Sequence, residues 1–192
     1  MIPLHKIYLR PLLLFVSAFL IHNSIFCQTR QVQLIRDHYY KIQNMVQSCN
    51  DNTTDICNLY SDEILLNSKG GLWRGIGNFQ KKYIFWYEDD PNNCGECPSE
   101  GASTLQLVNI EALNDVYKTK SEFLYKENRL IFSYEKDEYE GIEYRYYIAD
   151  GVLIRYMENE KILDVAEVNY KRFEKVKNTA NQLQQLFIMS HK

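Results

Sequence analysis

Histidine is scarce in this sequence, with four residues in a chain of 192. His5 and His22 lie in the N-terminal apolar stretch, which leaves His38 and His191 for the rest of the chain. His191 stands next to the C-terminus, where we expect fraying. His38 borders the apolar stripe of a predicted helix, and we interpret it as a partly buried structural residue. Because Ser-His-Asp and Cys-His enzymes need a histidine base, we expect no such enzyme here.

An excess of positive charge is also missing, since 22 Lys and Arg residues face 25 Asp and Glu residues. Bases and acids are interspersed, so no basic stripe is available for nucleic acid or anionic lipid. The four glycines between Gly70 and Gly77 are followed by neither a Lys-Ser/Thr pair nor a helix, which is typical of a loop or bulged strand. The acids stand in turns or beside bases, as on a solvated surface. We expect no catalytic residues, metal or cofactor.

No hydrophobic run reaches the roughly twenty residues that cross a bilayer. The longest, residues 12–21, follows Lys6 and Arg10 with no acid before it, which is the pattern of a cleavable signal peptide. We predict cleavage near Cys27-Gln28, a signal peptide over 1–27 and a single domain over 28–192. Lipid modification of Cys27 is the minor alternative, since the large Phe26 precedes it.

Cleavage changes the chain that has to fold. It removes two of the 22 basic residues and none of the acids, so the formal charge of the mature chain is −5. The remaining 165 residues suffice for one domain with a real core. We expect a secreted or periplasmic protein without a membrane span.

Four cysteines survive cleavage: Cys49, Cys57, Cys94 and Cys97. An even number in an oxidising compartment predicts disulfides, and four cysteines allow three pairings. Cys49 with Cys57 and Cys94 with Cys97 is the local solution. Because acids surround Cys94-Gly95-Glu96-Cys97 and a predicted strand follows it, a structural bridge is favoured over thiol-disulfide exchange, and a four-thiolate zinc site is a third, weaker alternative.

Hydrophobic periodicity predicts the fold class. A helix begins near Gln31 with a stripe at Val32, Ile35, Tyr39, Ile42 and Val46. Aromatic and β-branched segments then predict strands over 63–68, 82–88, 104–110, 116–125, 130–135, 143–149 and 152–158. A last helix carries the stripe Leu163, Ala166, Tyr170, Phe173, Val176, Ala180, Leu183 and Phe187. The result is an α+β fold, an antiparallel meander of six or seven strands flanked by an N-terminal and a C-terminal amphipathic helix.

Two tight turns share one pattern. Asp150-Gly151 supplies the positive φ angles of a two-residue hairpin, and Asn128 has the same role in the preceding hairpin. With an offset of 23 residues, 123–125 aligns with 146–148 and 130–131 with 153–154. The sequence therefore predicts two hairpins built alike.

The segments 35–42 (IRDHYYKI) and 143–156 (EYRYYIADGVLIRY) resemble a group of small exported proteins of Gram-negative bacteria. The resemblance covers both helices and the last two hairpins. It implies an α+β domain in the cell envelope and supplies no catalytic residues. The stretch 89–101, with its cysteine pair, matches no segment of the pattern.

Aromatic residues are abundant, with 15 Tyr and 9 Phe crowded into the predicted strands. Strand alternation could turn Trp86 and Tyr147 away from the helices, and with Trp73 they form our candidate binding surface. We expect a non-enzymatic exported binding or interaction protein, whose partner is an envelope protein or a small apolar or glycan ligand. A thiol-disulfide redox protein and a structural envelope component are the alternatives.

Overall fold

The computed structural model describes residues 9–51, 59–74, 77–89, 103–114 and 117–191, with side chains from residue 28 onward except at residue 167. Two helices enclose a run of strands. The helices are α1 (Leu9–Asn50) and α2 (Tyr170–Ser190). The strands are β1 (Tyr60–Leu66), β2 (Leu72–Trp73), β3 (Gly77–Glu88), β4 (Thr104–Asn114), β5 (Lys118–Lys126), β6 (Arg129–Asp137), β7 (Ile142–Ala149), β8 (Val152–Glu158) and β9 (Lys161–Leu163).

The strands form one antiparallel sheet in the order β1-β3-β4-β5-β6-β7-β8-β9, with β2 paired to β3. Each of the seven predicted strands is present, and the predicted α+β meander is confirmed. The sheet gains β2 and β9, which have two and three residues and are too short to produce a recognisable alternation.

The two similar hairpins are also confirmed. Glu127 and Asn128 have φ angles of 51° and 59°, and Asp150 and Gly151 have φ angles of 50° and 76°. Both central residues of each turn are therefore left-handed, as the right-handed twist of two-residue hairpins requires. The register shifts between residues 124 and 125 and again between 147 and 148, which are one repeat of 23 apart. The 23-residue repeat thus extends to the register shift, which occurs at the equivalent position of β5 and β7.

The sheet lies between the two helices, because neighbouring residues of one strand face opposite sides. Phe123 on β5 belongs to a core with α2, and the next residue, Leu124, belongs to a core with α1. The α2 core also holds Phe85, Leu105, Val108, Ile110, Tyr125, Tyr146 and Ile148. The α1 core also holds Leu59, Trp86, Leu107, Phe132 and Tyr147.

Helix α1 begins at Leu9, well before the predicted start near Gln31. Leucine-rich sequence with no internal proline after Pro11 continues a helix without interruption, and Pro11 itself stands in the first turn, where proline is tolerated. Within it the predicted stripe packs on the sheet, with Val32, Ile35, Ile42 and Val46 buried. None of the helices in the described part of the chain is long and apolar enough to cross a membrane.

Helix α2 is shorter than predicted. Leu163 lies in β9, and Ala166 lies in a short 3-10 turn (Val165–Glu167). The Asn169 side chain accepts hydrogen bonds from the backbone N–H groups of Lys171 and Arg172, so it caps a helix that begins only at Tyr170. Tyr170 is 69% exposed and does not belong to the buried stripe, so the prediction is wrong there. The rest of the stripe, from Phe173 to Phe187, is buried.

Candidate functional site

An open cleft of about 530 Å³ lies between α1 and strands β6 to β8. Helix α1 crosses the strands, so that Arg36 contacts Met157 on β8 while Tyr39 contacts Glu122 on β5. Helix α1 packs on Phe132 and Tyr147, and the cleft extends from there to Tyr134, Glu143 and Arg145.

Aromatic rings line the inner wall of the cleft. The ring centres of Tyr39 and Phe132 are 5.0 Å apart, and those of Phe132 and Tyr147 are also 5.0 Å apart. Tyr40 joins this row from the helix side, 5.7 Å from Tyr39, and most of its ring is exposed. Such tilted and edge-on contacts are the favoured geometries of aromatic pairs, so the wall is rigid.

Arg36 enters the cleft from α1. Its Nε donates a hydrogen bond to the Tyr147 hydroxyl at 3.2 Å, and its Nη2 lies 3.6 Å from the Met157 sulfur. The guanidinium carbon is 5.4 Å from the centre of the Tyr147 ring, within range of a cation–π contact. Tyr147 therefore fixes the position of this cation.

Arg145 occupies the sheet side of the cleft. Its Nη1 donates to the carbonyl oxygen of Asn159 at 2.7 Å, its Nη2 pairs with the Glu143 carboxylate, and its guanidinium carbon lies 5.3 Å from the Tyr134 ring centre. Lys136 reaches Glu143 at 3.1 Å. Burial alone would raise the pKa of Glu143, but its hydrogen bonds and cations outweigh burial and lower it, so this carboxylate stays ionised.

Tyr39 leads from the cleft wall to a buried carboxyl group. Its hydroxyl donates to Glu122 Oε2 at 2.6 Å, and Gln43 Nε2 donates to the same oxygen at 2.9 Å. Burial raises the pKa of Glu122 more than these donors and Lys120 lower it. The pKa of Tyr134 is raised to about 12, by burial first and then by its hydrogen bond to Glu143. In the folded protein, Glu122 and Tyr134 therefore stay mostly protonated at a pH equal to the ordinary pKa of each group.

Two of the three predicted binding residues belong to the α1 core. Tyr147 is 3% exposed and lines the cleft, and Trp86 is 6% exposed under α1. The register places both on the face that α1 covers, not away from the helices, because residue 86 and residue 147 alternate with the α2-facing residues 85 and 146. They offer no open aromatic surface of their own.

Trp73 lies apart from the other two. It is 51% exposed on β2, where its ring centre is 5.7 Å from that of Phe79. β2 pairs only with the start of β3, near the β1 edge of the sheet, whereas the cleft lies on β6 to β8. The structure does not bring Trp73 to the cleft.

The predicted cysteine sites are described only at Cys49. It is half-buried at the end of α1, and its Sγ lies 3.8 Å from the carbonyl oxygen of Leu59. Cys57, Cys94 and Cys97 lie outside the described residues, so the pairing stays a prediction.

Both remaining histidines have structural surroundings. His38 is half-buried, and burial is the main reason why its pKa is lowered. His191 does not fray as expected: its ring packs 4.1 Å from the Phe187 ring centre and 4.7 Å from that of Tyr87, and its Nε2 lies 3.0 Å from Asp62. These contacts hold the end of α2 to the edge of the sheet.

Reasoning from the sequence missed the two arginines of the cleft. Arg36 follows the buried Ile35 on the helix and lies outside the apolar stripe. Arg145 stands two residues before Tyr147, so strand alternation alone puts both side chains on one face. That spacing could have identified Arg145 and Tyr147 as neighbours in the sequence. It could not indicate that α1 would bring Arg36 to Tyr147.

Within the described ranges, no group of three or more His, Cys, Asp and Glu side chains is arranged to hold a metal ion. A scan of protein-family models found none that matches the chain. Searches of curated proteins and of solved structures likewise found no match.

Proposed function

We propose that this protein is an exported, non-enzymatic binding protein of the cell envelope and that its ligand site is the cleft between α1 and strands β6 to β8. The observation that carries the proposal is the cleft itself: about 530 Å³ of space with an aromatic inner wall and charged groups at its rim. The volume of the cleft is in the usual range of ligand sites in proteins, and its aromatic rings and charged groups can hold and orient a ligand. The signal-peptide pattern over 1–27 supports export.

The chemistry of the cleft suits recognition better than catalysis. Glu143 is held by Arg145 and Lys136, and its lowered pKa makes it a poor proton acceptor near neutral pH. The hydroxyl of Tyr147 already accepts from Arg36, and the raised pKa of Tyr134 disfavours its phenolate. These groups are arranged as fixed hydrogen-bonding partners.

The test is a ligand screen by NMR on residues 28–192. A panel of small phenyl and pyranose compounds, with neutral, acidic and basic members, is titrated into the labelled protein. We expect shifts at Arg36, Tyr147 and Met157 for at least one member. Shifts confined to other surfaces would contradict the proposal.

A matched pair of variants locates the binding. Met157→Trp adds bulk at the cleft, whereas Met189→Trp adds the same bulk at a largely exposed position on α2. We expect the first to abolish binding and the second to leave it unchanged. Equal binding by both variants would exclude the cleft as the site.

The thiol-disulfide alternative is a hypothesis about Cys94 and Cys97, which lie outside the described residues. If it holds, mild reductant should open their bridge and one thiol should have a depressed pKa. A bridge inert to mild reductant would exclude exchange activity. A structural component of the envelope is the other hypothesis, and ligand binding at the cleft in the NMR screen would argue against it.

A further inference from the structure

We propose that the cleft selects a small ring compound bearing a carboxylate, which the guanidinium of Arg36 binds end-on. This inference rests on the proposed function, since it assumes that the cleft is the ligand site.

Arg36 has unused donors. Among the residues that the structure describes, no carboxylate lies within 4.0 Å of its guanidinium, although six other arginine and lysine side chains on the sheet are paired with acids. Its acidic neighbour Asp37 accepts from Gln33 instead. An anionic ligand would supply the charged hydrogen-bond acceptor that this half-buried guanidinium lacks.

The geometry of Arg36 specifies how an anion would approach. Nε is engaged by the Tyr147 hydroxyl, while the acceptor that the described residues offer to Nη2 is the Met157 sulfur, a weak one at 3.6 Å. The outer edge of the guanidinium, formed by Nη1 and Nη2, is therefore the edge available to a ligand. Two parallel N–H donors in one plane match the two oxygens of a carboxylate.

The charges around Arg36 favour an anion as well. Glu143, which lines the cleft, is neutralised by Arg145 and Lys136. Arg155 is paired across the strands with Tyr147 and so projects from the same face of the sheet as the cleft. Of the two acids that line the cleft, Glu143 is thus engaged by other cations and Glu160 is exposed. Arg36 is therefore the cation of the cleft lining that has no carboxylate within 4.0 Å among the described residues.

The ring requirement follows from the aromatic wall. The exposed ring of Tyr40 and the partly buried ring of Tyr39 flank the position that a ligand bound to Arg36 would occupy. A flat ring attached to the carboxylate can stack on Tyr40 while its charged end reaches Arg36. A carboxylate without a ring would leave this surface exposed to water.

The experiment compares benzoate with benzamide, which has the same shape but no charge, by calorimetry and NMR on residues 28–192. We expect benzoate to bind at least tenfold more tightly than benzamide, with shifts at Arg36. Phenyl phosphate is the third probe. If it binds more tightly than benzoate, the carboxylate assignment is wrong.

Variants at Arg36 provide the second arm. Arg36→Met should weaken benzoate binding at least tenfold, and Arg36→Lys, which keeps the charge but loses the planar pair of donors, should weaken it severalfold. Arg129→Met is the matched control, because Arg129 is the first residue of β6, its side chain is 75% exposed and it does not line the cleft. Thermal unfolding of each variant verifies that it is folded. If Arg36→Met does not fold, the benzoate affinity of Arg36→Lys tests the role of Arg36.

The outcomes separate this inference from the proposed function. Equal affinity for benzoate and benzamide, or unchanged benzoate binding by a folded Arg36 variant, would overturn the carboxylate assignment. If shifts from other ring compounds still map to the cleft and disappear in Met157→Trp, the cleft stays the ligand site. Shifts that map elsewhere would overturn both.

Discussion

Glu122 places a carboxyl group beside the α1 core, where, within the described ranges, Tyr39 and Gln43 donate hydrogen bonds to it. Burial raises its pKa above the value in the unfolded chain. The folded protein therefore keeps the proton over a pH range in which the unfolded chain has released it. As pH rises through that range, the contribution of Glu122 to the free energy of unfolding decreases, and above the raised pKa the decrease is complete.

We predict that Glu122→Gln removes this pH dependence. Glutamine retains an oxygen that can accept from Tyr39, but it cannot ionise. Relative to the variant, the wild-type protein should lose free energy of unfolding as pH rises from the ordinary pKa of glutamate through the raised one. Urea unfolding of both proteins at a series of pH values measures the difference.

The control is Glu111→Gln, which removes a carboxylate from an exposed position on the same face of the neighbouring strand β4. A wild-type curve that stays parallel to that of Glu122→Gln at every pH would contradict the prediction. A change shared by both variants would show an effect of net charge, not of burial.

The residues of the cleft show what the sequence can indicate at this scale. Alternation places Arg145 and Tyr147 on one face, and the helical stripe identifies Ile35 and Tyr39 as residues that contact the sheet. The contact of Arg36 with Tyr147 joins residues 111 positions apart. It depends on where α1 crosses the strands, which neither local pattern contains.

At the scale of elements, the hairpins were the most predictable features. Asp150-Gly151 has an explicit turn signal, and aligning the sequence with itself finds its repeat at Glu127-Asn128, although only Asn128 is expected to be left-handed. Glu127 adopts φ of 51° without being a typical left-handed residue, because the twist of the β5–β6 pair imposes it. Strand β9 is hidden from sequence patterns, since Leu163 and Ala166 happen to continue the spacing of the last helix.

We predict that Gly151→Ala destabilises the protein by about 1–2 kcal/mol. Gly151 has φ of 76°, and an added Cβ would meet nothing within 4 Å, so the whole effect is backbone strain in the β7–β8 turn. Gly151→Asn should recover some of the loss, because asparagine tolerates the left-handed region. Thermal or urea unfolding measures these changes.

Gly71→Ala serves as the control. Its backbone is not left-handed, and an added Cβ would make ordinary contact with the Asn67 side chain at 3.6 Å. We expect a change within about 0.5 kcal/mol, as is usual for surface substitutions. If Gly151→Ala were as harmless as this control, the turn would not be held in the left-handed conformation.

At the scale of the molecule, the sequence indicates two amphipathic helices and one sheet but not their arrangement. Each helix needs an apolar surface, and a strand that alternates Phe123 with Leu124 offers one on each side. Sequence patterns are therefore compatible with two arrangements: both helices on one face of the sheet, or one helix on each face. The structure has one helix on each face: α2 packs on the side of Phe123 and α1 on the side of Leu124.

This arrangement makes the sheet common to both cores, and we predict that the two cores unfold together. Removing α1 would expose Trp86, Leu124 and Phe132, while α2 would still cover the other face of the same strands. A sheet with one bare apolar face loses much of the burial that holds its strands, so the half-covered state should not be populated.

Two substitutions, one in each core, test that coupling. Ile42→Ala on α1 and Leu183→Ala on α2 each empty a buried site and should each cost about 2–5 kcal/mol. In a Trp73→Phe background, the fluorescence of buried Trp86 reports on the α1 core, and far-ultraviolet circular dichroism reports on the whole fold. The two signals should change at the same urea concentration in both variants, because loss of either core removes the support of the other. If Ile42→Ala shifted the fluorescence transition below the dichroism transition, α1 would be an independently detaching element, and the cleft beneath it would open and close without unfolding the sheet.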